Sequence, residues 1–300
     1  MLEPVTLVGE QKKVLTLNHN GPIQIKGAAG SGKTTVAIYR AFHLMDTHGD
    51  LFEPSKVIIF TFNKALSQYL EALSSVINKG QKRNIKVTNF HSWAFGFLSR
   101  SGVDKLYDKT VLGRAQIKLV QEAVSGVVKD EKTTRILSKQ AEFFVDEISW
   151  LKGKCVSSIK EYLDLVRSGR GSSDRVTTTD KYAIWNVYEA YQAKLKELGK
   201  VDYDDYALLC LGIIEQQGES FEPLFTHIVV DEAQDLNKAQ LSVLKRLVSP
   251  TTDSISIIAD AAQRIYKSGF TWKEIGINVR GARTVEFTKN YRNTAEIAEA

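Results

Sequence analysis

One stretch constrains this 300-residue chain more than any other: Gly27, Ala28, Ala29, Gly30, Ser31, Gly32, Lys33 and Thr34. It has the form G-x-x-x-x-G-K-[ST], a phosphate-binding loop. Ile23 and Ile25 in the preceding Pro22–Lys26 segment predict a short strand, and Thr34–Leu44 carries apolar side chains at helical spacing. Strand, loop and helix in that order are the context the motif requires. The glycines let backbone N–H groups close around phosphate oxygens, and the helix N-terminus adds the positive end of its dipole. In such a loop Lys33 reaches the β- and γ-phosphates, and the Thr34 hydroxyl holds Mg²⁺. A nucleoside triphosphate with Mg²⁺ is the expected ligand.

The rest of the chain supports an α/β reading. Lys56–Phe62 is a nearly continuous apolar run, as in a strand buried on both faces of a parallel sheet. A helical stretch from Lys64 follows, then a β-like segment at Asn84–Thr88 that leads into Phe90-His91-Ser92-Trp93. Between residues 97 and 200 the pattern changes to apolar residues three and four apart (Ile117, Val120, Val124; Ile184, Val187, Tyr188, Tyr191, Leu195), with weak strand signals. Residues 168–174 read as a loop by composition. The α/β pattern resumes with strands at Phe225–Val230, Ser254–Ala259 and Arg283–Thr288 and a helix at Lys238–Leu247. The expectation is a discontinuous nucleotide-binding domain formed by 1–96 and 201–300, with a mostly helical subdomain inserted at 97–200.

Charge and cysteine usage narrow the class. The whole net charge of +5 resides in 97–200. That bias is compatible with a phosphate-backbone partner or with a solvated mixed-charge surface. Cys155 and Cys210 make no disulfide framework, and the five histidines show no metal-ligand spacing. The first residues lack the pattern of a signal peptide, and no apolar run approaches the ~20 residues that would span a bilayer. A soluble, cytoplasmic chain with no membrane partner is expected. The run Thr294–Ala300 has the pattern of a helix without a stop signal, which reads as a cut in a longer sequence.

Asp231-Glu232-Ala233-Gln234-Asp235 directly follows an apolar strand. An aspartate at such a strand end can hold the Mg²⁺ that bridges phosphate oxygens, and a neighbouring carboxylate can orient and deprotonate the attacking water. The structural alternative is an acidic N-cap at a strand–helix junction.

With these residues in view, the chain resembles the N-terminal lobe of superfamily 1 helicases of the UvrD/Rep type. The resemblance runs over nearly the whole chain and rests on ordered motifs. It implies a RecA-like P-loop NTPase domain with a parallel sheet, interrupted by a helical subdomain, and an ATP-driven translocase on single-stranded DNA. It gives Gln11 the role of reading adenine, Lys33 and Thr34 those of the loop lysine and Mg²⁺ hydroxyl, and Asp231 and Glu232 those of metal ligand and catalytic base. Gln263, in Asp260-Ala261-Ala262-Gln263, would sense the γ-phosphate. Tyr291 would stack on adenine and Arg292 touch the γ-phosphate. Thr61, Phe62 and Asn63, with Phe90, His91, Trp93 and Tyr266, are the implied contacts to single-stranded DNA. Val201–Asp205 is similar to the segment leading out of the family's inserted subdomain.

The departures are specific. Thr35 stands where many members have an arginine against adenine. Ala259 replaces a glycine, and Ser268 stands where a base-stacking aromatic is expected; Phe270 or Trp272 are alternative platforms or ordinary packed aromatics. The family also uses a second motor lobe, whose arginine completes the γ-phosphate site, and no sequence for it precedes Ala300. Bound nucleotide with weak or no turnover by this chain alone is therefore expected. A nucleotide-dependent interaction module without translocation is the rival reading, and a small-molecule kinase a more distant one that shares only the loop.

Overall fold

The computed structural model describes residues 7–28, 30–48, 55–62, 67–68, 70–72, 85–130, 135–166, 176–260, 270–279 and 283–288. The chain divides into two compact units, one of residues 1–93, 217–236 and 240–300, the other of 94–216 with 237–239.

The first unit is built on a six-stranded, all-parallel sheet in the order β3-β2-β4-β5-β1-β6. In chain order its elements include α1 (Glu10–Thr16), β1 (Ile23–Gly27), α2 (Lys33–His48), β2 (Val57–Thr61), β3 (Lys86–Asn89), β4 (His227–Val230), β5 (Ser254–Asp260) and β6 (Thr284–Phe287), with the expected helix at Lys238–Leu247 between β4 and β5. The inner strands β2, β4 and β5 are buried at every residue, the burial expected when helices cover both faces. Val36, Ala37, Ile38, Ala41, Phe42 and Leu44 of α2 pack with Ile23, Ile25, Ile59 and Val229 of the sheet in one apolar cluster. Each of the larger side chains among them contributes about 1.5–3 kcal/mol on burial, which holds the start of α2 against the end of β1. The expected strands are all present, with limits shifted by a residue or two.

In the second unit the main helices are α3 (Phe90–Arg100, whose first turn belongs to the first unit), α4 (Gly113–Asp130), α5 (Ala141–Gly153), α6 (Ile159–Asp164), α7 (Thr178–Glu197) and α8 (Asp205–Gln217). Its own core contains Val120, Phe144, Ile148, Leu151, Tyr162, Trp185 and Tyr191. α7 opens with a capping box: the Thr177 hydroxyl accepts the N–H of Asp180 at 3.2 Å, and the Asp180 carboxylate accepts the N–H of Thr177 at 2.9 Å. Among the described residues of this unit the one sheet-like pairing is an isolated bridge, Thr110 with Val201. Buried in this core, the Lys152 ammonium lies 2.7 Å from Asp202 Oδ2 and 2.6 Å from Asp205 Oδ1, and the Tyr191 hydroxyl donates to Asp202 Oδ2 at 2.9 Å. Burial alone would push the Lys152 ammonium down, but the two carboxylates outweigh it and its pKa is raised.

Candidate nucleotide-binding site

In a parallel α/β sheet, ligands bind beyond the carboxyl ends of the strands. The loop Gly27–Gly32 leaves the end of β1, which lies between β5 and β6 with Gly27 opposite both Asp260 and Phe287. Gly30 and Gly32 have φ of 81° and 84°, a left-handed backbone that side chains with a Cβ adopt at a cost. The space is also restricted: a Cβ on Gly32 would lie 2.5 Å from Gln11 Nε2, and one on Gly27 2.5 Å from Ser31 Oγ. The loop is thus tight, glycine-dependent and closed by Gln11.

Lys33 is the first residue of α2. Its ammonium donates to the carbonyls of Gly27 and Ala28, both at 2.9 Å, so it lies folded back along the loop it belongs to. Thr34 donates its hydroxyl to Asp231. Asp231 follows β4 and is fully buried; its N–H is bonded to the Phe60 carbonyl at 2.8 Å, which extends the β2–β4 ladder by one residue. Burial, and then the neighbouring Glu232, push its carboxyl up to about 7, against the downward pull of the Thr34 hydroxyl, the Glu232 N–H and Lys33. Asp231 Oδ2, Ser31 Oγ and Thr61 Oγ1 are buried without a hydrogen-bond partner. Unpaired polar atoms that deep are expensive in a protein with no ligand to meet them. An orphaned carboxylate oxygen beside a threonine hydroxyl, near a loop whose Gly27 and Gly32 leave little room for a Cβ, fits a triphosphate with its Mg²⁺. Among the described residues no cluster of three or more His, Cys, Asp or Glu forms a separate metal centre.

Glu232 adopts φ 52° and ψ 43°, and its N–H donates to Asp231 Oδ1 at 3.1 Å. Its carboxylate accepts from Gln234 Nε2 at 2.6 Å, and Gln234 Oε1 accepts the N–H of Asp260 at 3.1 Å.

Gln11 is held on both sides of its amide: Oε1 accepts the N–H of Val8 at 3.1 Å, and Nε2 donates to the Ser31 carbonyl at 3.0 Å. The helix that carries it is anchored by Arg40, a residue that no sequence motif marks. This buried guanidinium of α2 donates to the carbonyls of Val14 and Leu17 at 3.0 and 2.9 Å and of Asn18 at 3.0 Å. It satisfies the carbonyls that the C-terminus of α1 leaves open. Its sequence signal is a lone arginine among Val36, Ala37, Ile38, Ala41 and Phe42. Glu10 Oε2 accepts the N–H of Thr288 at 3.2 Å and so ties the start of α1 to the segment after β6.

The expected single-strand contacts separate into two groups. Phe62 and His91 present surface, Phe62 with half its area exposed and His91 partly so. Burial lowers the pKa of His91, which keeps the ring neutral near pH 7. Thr61, Phe90 and Trp93 form the second group and are buried. Thr61 is fully buried, Phe90 and Trp93 are 2% and 3% exposed, and the Trp93 ring packs edge-on against Phe60 at 5.9 Å. A base needs a free ring face to stack on, and the cores of β2 and α3 occupy these. Phe270 is likewise buried, edge-on to Trp272 at 6.0 Å. Thr35 is half-buried on α2. Ala29, Asn63, Gln263, Tyr266, Tyr291 and Arg292 lie outside the described residues.

A parallel sheet with a phosphate-type loop after one strand and an acidic pair after another defines a P-loop nucleotide-binding domain. Residues 7–271 match the family described as the UvrD/REP helicase N-terminal domain, and the chain belongs to that family. Among its curated relatives is the ATP-dependent DNA helicase PcrA of Leuconostoc citreum, 26% identical over 294 residues, which cover 93% of this chain and 36% of that protein. The enzyme of the same name from Staphylococcus aureus strain Mu50 is 28% identical over 298 residues, 93% of this chain and 37% of its own length. The chain thus spans well under half the length of these relatives. Among the described residues no helix is long and apolar enough to cross a membrane.

Proposed function

We propose that this chain is the ATP-binding lobe of a cytoplasmic, single-strand DNA translocase of the helicase type, with 97–200 as its inserted helical subdomain and a second motor lobe as partner. The observation that carries the reading is Asp231: a fully buried carboxylate bonded to Thr34, with one oxygen unpartnered, at the strand end beside the phosphate loop. The family and the names of the relatives support the same reading.

In this mechanism Gly27–Gly32 and the N-terminus of α2 hold the triphosphate, and Lys33 leaves its loop carbonyls to neutralise the phosphates. Thr34 and Asp231 hold Mg²⁺, which when bound offsets the charge that develops on the transferred phosphoryl group. Glu232 orients the attacking water, and its carboxylate accepts the proton. Gln11 reads the base. Gln263, Tyr291 and Arg292 keep the roles the resemblance implies. Phe62 and His91 are the side chains offered to the DNA strand, with a phosphate-backbone partner consistent with the basic 97–200 segment.

The test is ATP turnover by this chain with and without single-stranded DNA, beside Lys33→Ala. DNA-stimulated turnover that disappears in the variant supports a motor active as it stands. Nucleotide binding that requires Lys33, with no turnover, supports a lobe that needs its second half. Binding indifferent to Lys33→Ala sinks the reading. The burial of Thr61, Phe90 and Trp93 favours one alternative, a module whose nucleotide gates a protein partner without translocation. Its signature is DNA-independent behaviour in the protein that carries both lobes.

A further inference from the structure

Gln234 holds two chain segments with one planar head. Its Nε2 donates to Glu232 Oε2 at 2.6 Å, and its Oε1 accepts the backbone N–H of Asp260 at 3.1 Å. Only this orientation of the amide works, because the reverse would set oxygen against carboxylate and NH₂ against N–H. The first bond is short and assisted by the carboxylate charge. Asp260 is the last residue of β5 and lies opposite Gly27, the first residue of the phosphate loop. Glu232, at left-handed φ and half-buried, has its carboxylate steered by this contact, while its backbone N–H is taken by Asp231.

We propose that Gln234 is a positioning residue for hydrolysis: its carboxamide fixes the direction of the Glu232 carboxylate and couples it to the end of β5 and so to the phosphate loop. The inference rests on the reading of Glu232 as the group that orients water, and it assigns the DExQD glutamine a task of its own. Asparagine carries the same amide one bond shorter, and no other side chain sets a neutral donor and acceptor side by side four bonds beyond Cα. Glutamate keeps the acceptor toward Asp260 but sets like charges together. Alanine removes both ends.

Four variants separate these ends: Gln234→Ala, Gln234→Glu, Glu232→Gln, and the exchange Glu232→Gln with Gln234→Glu. Four quantities are read: DNA-stimulated ATP turnover, affinity for a fluorescent ATP analogue, the denaturant midpoint, and hydrogen exchange at the Asp260 amide. Gln234→Ala is expected to lower kcat by about 10–100-fold, the usual size for an outer partner of a catalytic group, with analogue affinity within about threefold of wild type. Its Asp260 amide exchanges faster. Gln234→Glu keeps that amide protected, loses turnover at least as far and unfolds at lower denaturant. The exchange recovers the midpoint, because a carboxylate again meets an amide, without recovering turnover. A kcat within about twofold of wild type in Gln234→Ala, or stability effects that simply add in the double variant, overturns the proposal. If the wild-type chain turns over no ATP, the hydrolytic reading fails for the chain alone, and the midpoint cycle with the Asp260 exchange rate still decides whether Gln234 holds Glu232 to β5.

Discussion

Two buried polar centres, one in each unit, are built on opposite terms. Around Lys152 every charge has a charged or hydrogen-bonding neighbour: Asp202 and Asp205 flank the ammonium, Tyr191 donates to Asp202, and the two aspartates accept each other's backbone N–H groups. At the end of the parallel sheet, Asp231, Ser31 and Thr61 each keep a buried oxygen without a partner, and Glu232 sits in a left-handed conformation. A closed network is what structure alone requires; an open one makes sense when something from outside completes it. The completeness of the hydrogen bonding, more than burial or charge, separates the structural centre from the candidate site.

The comparison can be broken from either side. Its largest expected effect is Lys152→Met, which leaves two buried carboxylates uncompensated and should lower stability by about 3–5 kcal/mol. Denaturant unfolding at pH 7 measures it; a loss comparable to a surface substitution would mean that the network is not buried in solution. At the open centre the sign reverses. The Asp231 carboxyl is raised from 3.8 to about 7 in the folded chain, so the native state holds its proton over a range where the unfolded chain has lost it. Its contribution is intact below about pH 4 and is lost as pH rises through 7. Asp231→Asn should therefore stabilise the nucleotide-free chain at pH 8 on the order of 1–3 kcal/mol and leave it unchanged at pH 4, while weakening binding of Mg²⁺-nucleotide. Equal destabilisation at both pH values would erase the distinction between the two centres.

A smaller effect refines the closed centre. Asp204, beside the Lys152 network, is raised to about 6, chiefly by burial and then by Asp202, against the pull of Ser149 and Lys152. Burial is also the leading cause at Asp205, but that carboxylate is paired with Lys152, whereas no ion pair to Lys152 holds Asp204. By the same sign argument its contribution is lost between pH 4 and 6. Asp204→Asn should then raise the unfolding free energy by about 1 kcal/mol at pH 7 and by nothing at pH 4. A pH-independent effect would assign the residue to packing alone.

What the sequence disclosed follows the range of the interactions. The phosphate loop is a contiguous pattern set by backbone conformation, and the strands β2, β4 and β5 are apolar runs, so both could be read locally. The Lys152 network joins residues 50 apart in sequence, and no local pattern connects them. Phe90 and Trp93 illustrate a different limit. An aromatic run after a strand suits base stacking and core packing equally, and the tie is broken by helix phase: Phe90, Trp93, Ala94 and Phe97 form one stripe, all buried. The resemblance supplied roles for these aromatics; the periodicity beneath it pointed inward. Arg40 has no local motif: it is one cation among the apolar residues of α2, and its partners lie 22–26 residues earlier in the chain. Gln234 was visible only as a letter in a motif, and its function lies in the amide of Asp260, 26 residues away.

The anchoring of α1 by Arg40 and Glu10 has a kinetic consequence. Gln11 is fastened through its own amide, through three carbonyls near the end of its helix and through the N–H of Thr288. A sensor restrained at so many points does not sweep through orientations in search of a base. If Gln11 reads the nucleobase, recognition here amounts to docking on a rigid template: the entropy of ordering the reader is lost when the chain folds, and arrival of the nucleotide adds little to it. Discrimination between bases would then show itself mainly in how fast the wrong nucleotide leaves.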